Sequence, residues 1–79
     1  MNDLDAAKAA ELVKKHAVAL HGNLANYSFK LISVAPNTEN DVWKVTCEYL
    51  VTATDTTPVK YLFRVNVSHG QILDITKLD

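Results

Sequence analysis

Three histidines and one cysteine are the side chains in this sequence best suited to bind a metal or to act as nucleophiles. His16 and His21 lie five residues apart in a segment with helical periodicity, which places them about 140° apart around the helix. His69 lies far along the chain, and neither Cys-x-x-Cys nor His-Glu-x-x-His spacing occurs. The pattern therefore predicts no metal site and no cofactor, and it favours histidines that are solvated or hydrogen-bonded.

Cys47 is the one candidate for a thiol nucleophile. It alternates with apolar residues in a predicted strand, on the same face as Trp43 and Val51. A cysteine in such a core position behaves as a small hydrophobic residue and is usually unreactive. We therefore predict a structural cysteine, and we expect the chain not to be an enzyme.

Four aromatic residues share one face of the predicted sheet: Trp43, Tyr49, Tyr61 and Phe63. A chain of 79 residues needs most of its apolar side chains to build a core, so we favour core packing beneath a helix. The alternative is a small-ligand-binding domain of cystatin-like or NTF2-like shape, with these rings lining a pocket between helix and sheet.

The opposite face of the sheet carries a mixed set of side chains around two leucines. It comprises Lys44, Thr46, Glu48, Leu50, Thr52, Lys60, Leu62, Arg64, Asn66 and, in one interpretation, Ile72. Such a surface is either solvated or in contact with a partner. We predict that the contact, if made, uses Lys44, Glu48, Leu50, Leu62 and Arg64.

One helix is predicted, over residues 4–21, and we expect it to be the only helical segment. Apolar residues recur at three- and four-residue steps along one face: Ala6, Ala9, Val13, Ala17, Leu20 and Leu24. Gly22 follows as the residue able to take positive φ and end the helix.

Four strands are predicted after the helix, over residues 27–35, 42–51, 61–67 and 71–75. In the first, we expect Phe29 and Leu31 to face the helix. Ile32 and Val34 would then point away, so this strand is bent or bulged, or its back is covered.

The central hairpin is predicted to pair Ala53 with Val59. That register sets four further pairs: Tyr49 with Phe63, Cys47 with Val65, Glu48 with Arg64 and Leu50 with Leu62.

The last hairpin is predicted to turn over residues 68–70, with Gly70 in the left-handed region. Leu73 and Ile75 would then point inward, and Asp74 would lie near Arg64.

Eight basic and nine acidic residues give a net charge of −1, which argues against a nucleic-acid binder. No apolar run approaches the roughly 20 residues that span a bilayer, so we expect no membrane insertion. The acidic first residues do not form a signal-peptide pattern, and the absence of an internal disulfide leaves the compartment open.

The closing stretch, Val65–Leu73, resembles the terminal signature of PepSY domains, roughly V-D-A-x-T-G-x-I-L. Val42–Val45 and Tyr61–Val65 are similar to that family's aromatic-containing strands, and the alanine-rich helix stands in the corresponding place. Asn66 occupies the position where the family usually has aspartate, and His69 one where it often has threonine. The resemblance implies a helix-on-sheet fold of the wider cystatin-like group and a non-enzymatic module that accompanies peptidases or binds proteins.

Together these observations predict a single α+β domain over residues 1–79. One N-terminal helix packs on a four-stranded antiparallel meander in the order α-β-β-β-β. The expected function is a non-enzymatic, protein-interaction or peptidase-associated module. Its partner would be another protein or a second copy, bound through the outer sheet face or an edge strand.

Overall fold

The alanine-rich N-terminal segment forms a helix, α1, over Asp5–His21 in the computed structural model, which describes residues 5–37, 41–54 and 56–78. Ala9, Val13 and Ala17 are fully buried. The small alanine side chains let the helix lie close to the sheet. Leu20 was predicted on the same face but is 54% exposed. The buried stripe therefore ends one turn earlier than predicted.

A second, short helix, α2, follows over Asn23–Ser28, so the prediction of a single helical segment is wrong. Gly22 ends α1 as predicted, with φ 80°, and its backbone N–H donates to the Val18 carbonyl. Ala25 then becomes fully buried in the core. Residues 27 and 28, which were predicted to begin the first strand, therefore belong to α2.

The rest of the chain forms the predicted four-stranded antiparallel meander. Its strands are β1 (Lys30–Pro36), β2 (Val42–Tyr49), β3 (Val59–Asn66) and β4 (Gln71–Leu78), and they lie in that order across the sheet. The α+β fold class is therefore confirmed.

Strand β1 contains the predicted irregularity, a bulge at Ile32. Leu31 lies opposite Cys47 and Val34 lies opposite Val45, so both are on the inner face. The prediction that Val34 points away was wrong, because the extra residue in the bulge reverses the alternation beyond it.

The β2–β3 register differs from the prediction by four residues. Tyr49 pairs with Val59 instead of Phe63, and Cys47 pairs with Tyr61 instead of Val65. A shift by an even number keeps every side chain on its predicted face, which is why alternation alone did not reveal it. The connection is longer than predicted, since β2 ends at Tyr49 and β3 begins at Val59.

The β3–β4 hairpin contains a second bulge, at Leu73. Gly70 has φ 63°, and Asp74 lies opposite Arg64, both as predicted. Ile72 pairs with Val65 on the inner face and packs against the core, in the place predicted for Leu73. The bulge accounts for this exchange, because it adds one residue between Ile72 and Asp74.

Both helices cover the same side of the sheet. Helix α1 packs against all four strands, and α2 packs against β2. The buried core lies between these layers and consists of Ala9, Val13, Ala17, Ala25, Val45, Cys47, Tyr49, Phe63, Val65 and Val67. Neither helix covers the other side, which is called the outer face below.

Candidate functional site

Strand pairing arranges the outer face in four rows that run across the sheet, and the fourth of them, Val42, Asn66 and Gln71, is uncharged. The first row is charged: Lys30 lies opposite Glu48, and Glu48 lies opposite Lys60. Lys30 and Lys60 are exposed and Glu48 is half-buried. A carboxylate between two ammonium groups leaves this row with one net positive charge.

The second row is uncharged. Leu62 lies between Thr46 on β2 and Thr76 on β4, and Ser33 completes the row on β1. Leu62 is half-buried by its neighbours, although no helix lies over it. It is the aliphatic centre of the outer face.

The third row carries the tightest charge contact of this face. Lys44 lies directly opposite Arg64, which in turn lies opposite Asp74. The Arg64 Nε donates to Asp74 Oδ2 at 2.8 Å, and its Nη2 donates to the same oxygen. Hydrogen bonding from this guanidinium lowers the pKa of the Asp74 carboxyl below its ordinary value.

Among the described residues, the outer face carries a positive net charge, although the chain does not. Its first three rows contain four basic side chains and two acidic ones, a net charge of +2, whereas the whole chain carries −1. Within the described ranges, no acidic side chain forms an ion pair with Lys44 or Lys60. These two ammonium groups are available to a ligand.

Four of the five residues predicted to bind a partner lie together on the outer face: Lys44, Glu48, Leu62 and Arg64. Leu50 does not, because β2 ends before it and its backbone N–H donates to the Ser28 Oγ at 2.9 Å. The predicted Leu50–Leu62 and Glu48–Arg64 pairs are therefore wrong. Sequence reasoning also missed Lys30, which the pairing of β1 brings beside Glu48.

The inner-face aromatic rings pack on one another and on α1. Tyr49 and Tyr61 stack with ring centroids 5.1 Å apart, and Phe29 stacks on Tyr49 at 6.2 Å. The His21 ring lies 5.3 Å from Tyr49 and stacks on Tyr61. Because Tyr49 and Phe63 are fully buried, these rings occupy the space in which the alternative hypothesis placed a ligand.

The Tyr49 hydroxyl is buried and has no hydrogen-bond partner among the described residues. Burial, with nearby Tyr61 and Cys47 as smaller causes, raises the pKa of Tyr49. Burial likewise raises the pKa of the Cys47 thiol to about 12. Cys47 is fully buried and therefore protonated at neutral pH, a state that favours the predicted structural role.

The three histidines lie in separate surroundings. His16 meets Phe63 edge-on, His21 packs on the tyrosines, and the His69 backbone N–H donates to the Asn66 side chain. Over the described ranges, no three His, Cys, Asp or Glu side chains come close enough together to hold a metal ion.

A shallow groove lies beside α1, where the helix meets the start of β4. It has a volume of about 320 Å³ and is lined by Leu12, Lys15, His16, Ala19, Gly70 and Ile72. This groove is open to solvent on the flank of the domain, outside the aromatic layer.

No helix in the described parts of the chain combines the length and the apolar character needed to cross a membrane. Comparison with protein families, with curated proteins and with solved structures gives no match.

Proposed function

We propose that this chain is a non-enzymatic protein-interaction module that binds its partner through the outer sheet face. The observation that carries the proposal is that both helices lie on one side of the sheet. The other side presents a half-buried leucine between two charged rows. The contact set is Lys44, Glu48, Leu62 and Arg64, extended by Lys30, Lys60 and Asp74.

The composition of this face suits an interface. An aliphatic centre within a polar rim is the common arrangement of non-obligate protein contacts. Leu62 supplies the centre, and the threonines beside it offer hydroxyl groups for hydrogen bonds. The resemblance to PepSY domains favours the same class of function, a module that binds a peptidase or another protein.

The filled inner face weighs against the alternative, a ligand site between helix and sheet. Tyr49 and Phe63 are completely buried there, and a pocket would require these rings to move. The outer face needs no such rearrangement, because Leu62 and the charged side chains around it are at least partly exposed.

Site-directed photocrosslinking in cells that express the chain tests the proposal. A benzoylphenylalanine at the position of Lys44 reports on the outer face, and one at the position of Lys8 reports on the exposed side of α1. We expect discrete protein adducts from the first position, and we expect Leu62→Glu to abolish them. Equal adducts from both positions, or adducts that survive Leu62→Glu, would contradict the proposal.

Folding of the Leu62→Glu variant needs its own control, because Leu62 is half-buried. Circular dichroism and a urea titration show whether the variant folds. Leu62→Thr, which introduces a β-branched side chain suited to a strand, provides a milder change if it does not. We expect this second variant to weaken the adducts while the fold is preserved.

A further inference from the structure

We infer that the partner of the outer face is an acidic protein segment that places an aliphatic side chain between two carboxylates. This inference rests on the function proposed above and specifies the chemistry of the partner. It follows from the positions of the charges around Leu62.

Strand β3 sets the distance between the two basic side chains that flank Leu62. Lys60, Leu62 and Arg64 are alternate residues on the same strand and therefore point to the same face. At about 3.3 Å per residue, Lys60 and Arg64 are about 13 Å apart along the strand, with Leu62 midway. The complementary ligand therefore has carboxylates about 13 Å apart on either side of an aliphatic group.

Strand β2 reinforces the positive potential at one end of this stripe. Lys44 lies directly opposite Arg64, and cross-strand pairs of like charge repel each other. The Asp74 Oδ2 accepts hydrogen bonds from the Arg64 Nε and Nη2, whereas no acidic side chain of the described residues forms an ion pair with Lys44. A carboxylate brought near Lys44 by a partner would remove the remaining repulsion.

Two other occupants fit this face less well. A second copy would bring one +2 surface against another. Proteins that bind single-stranded nucleic acid stack its bases on aromatic rings. None of the described residues in the rows of the outer face is aromatic. An acidic protein segment with an aliphatic side chain complements both the positive charge of this face and Leu62.

An NMR titration of the ¹⁵N-labelled chain tests the inference. The probe is a capped peptide, Glu-Thr-Leu-Thr-Glu, whose glutamates are about 13 Å apart when it is extended. The matched control peptide is Gln-Thr-Leu-Thr-Gln. We expect the acidic peptide to shift the amide signals of Thr46, Leu62 and Thr76, and we expect added salt to weaken its binding.

Charge-reversal variants test whether the lysines of the outer face are responsible for binding the acidic peptide. Lys44→Glu combined with Lys60→Glu should weaken binding of the acidic peptide by about tenfold. Lys8→Glu combined with Lys15→Glu gives the same change in net charge on α1, and we expect it to alter binding by less than about twofold.

The outcomes separate the two proposals. Equal shifts of the outer-face signals by the neutral and acidic peptides would overturn the inference and leave the face as an interface of different chemistry. If no peptide shifts these signals, the inference fails, and the crosslinking experiment then decides the proposed function alone. Tighter binding of a thymidine oligonucleotide at the same residues would assign the face to phosphate and overturn both.

Discussion

The Tyr49 hydroxyl is a polar group placed in the core without a partner. The ring is fully buried and stacks with Tyr61, while the hydroxyl meets no donor or acceptor of the described residues. Burying a hydroxyl without a hydrogen bond costs about 1–3 kcal/mol. The aromatic ring itself contributes far more through the apolar area that it buries.

Tyr49→Phe should therefore stabilise the domain, by about 1 kcal/mol or more, because it removes the hydroxyl and keeps the ring. Urea unfolding followed by circular dichroism measures the change. Tyr61→Phe is the matched control, since Tyr61 is only partly buried and the loss of its hydroxyl should change stability little. A loss of stability in Tyr49→Phe would show that the hydroxyl has a partner, such as a buried water, and would refute this account.

At the scale of the elements, Ser28 joins α2 to the end of β2. Its Oγ donates to the Leu24 carbonyl at 2.6 Å and accepts from the Leu50 N–H at 2.9 Å. The first bond closes the last turn of α2, and the second provides an acceptor for a backbone group just beyond the strand. One hydroxyl therefore holds the short helix against the sheet.

We expect Ser28→Ala to lower the free energy of unfolding by about 1–2 kcal/mol, since the Leu50 N–H loses its acceptor in a partly buried place. Ser33→Ala is the control, because Ser33 is exposed on β1 and should contribute less than about 0.5 kcal/mol. Urea titrations of both variants measure these effects. Equal effects of the two substitutions would show that Ser28 does not join α2 to β2.

The same elements show what the sequence can and cannot predict. Each edge strand has two successive aliphatic residues and a three-residue step between inward positions: Leu31 to Val34 in β1, and Ile72 to Ile75 in β4. That pattern indicates a bulge in β4 as well as in β1, and a bulge in β4 places Ile72 against the core. The predicted simple alternation of Leu73 and Ile75 did not include it.

Other features lay beyond the sequence pattern. The four-residue difference in the β2–β3 register preserves alternation, so no hydrophobic pattern could detect it. Helix α2 has six residues, too few for a clear helical period. The outer face was nevertheless largely predictable, because four of its five predicted residues follow from alternation alone. Leu50 is the exception, because β2 ends at Tyr49.

At the scale of the whole molecule, one long helix and one short helix must cover a four-stranded sheet. Among the described residues, the central strands β2 and β3 supply all the strand residues of the buried core, whereas inner-face residues of the edge strands remain partly exposed, with Leu31 at 43% and Ile75 at 37%. Bulges in both edge strands interrupt the regular pairing pattern that a neighbouring chain would need. Such bulges are one means by which natural sheets discourage association through their edges.

Charge opposes association through the outer face. Two surfaces of +2, packed at the roughly 10 Å spacing of stacked sheets, would repel each other by about 2 kcal/mol in water at low salt. Part of this repulsion disappears near physiological ionic strength, where the Debye length is about 8 Å. Self-association through this face should therefore depend on salt and on the lysines.

We accordingly expect the purified chain to have the monomer mass of 8.7 kDa by light scattering throughout a concentration series at low salt. Lys44→Gln combined with Lys60→Gln removes the net charge of the outer face and should make a dimer easier to form. Lys8→Gln combined with Lys15→Gln makes the same change on α1 and should leave the mass unchanged. A low-salt dimer of the unaltered chain that Leu62→Glu dissociates would make a second copy the occupant of this face, because the aliphatic contact would then outweigh the repulsion.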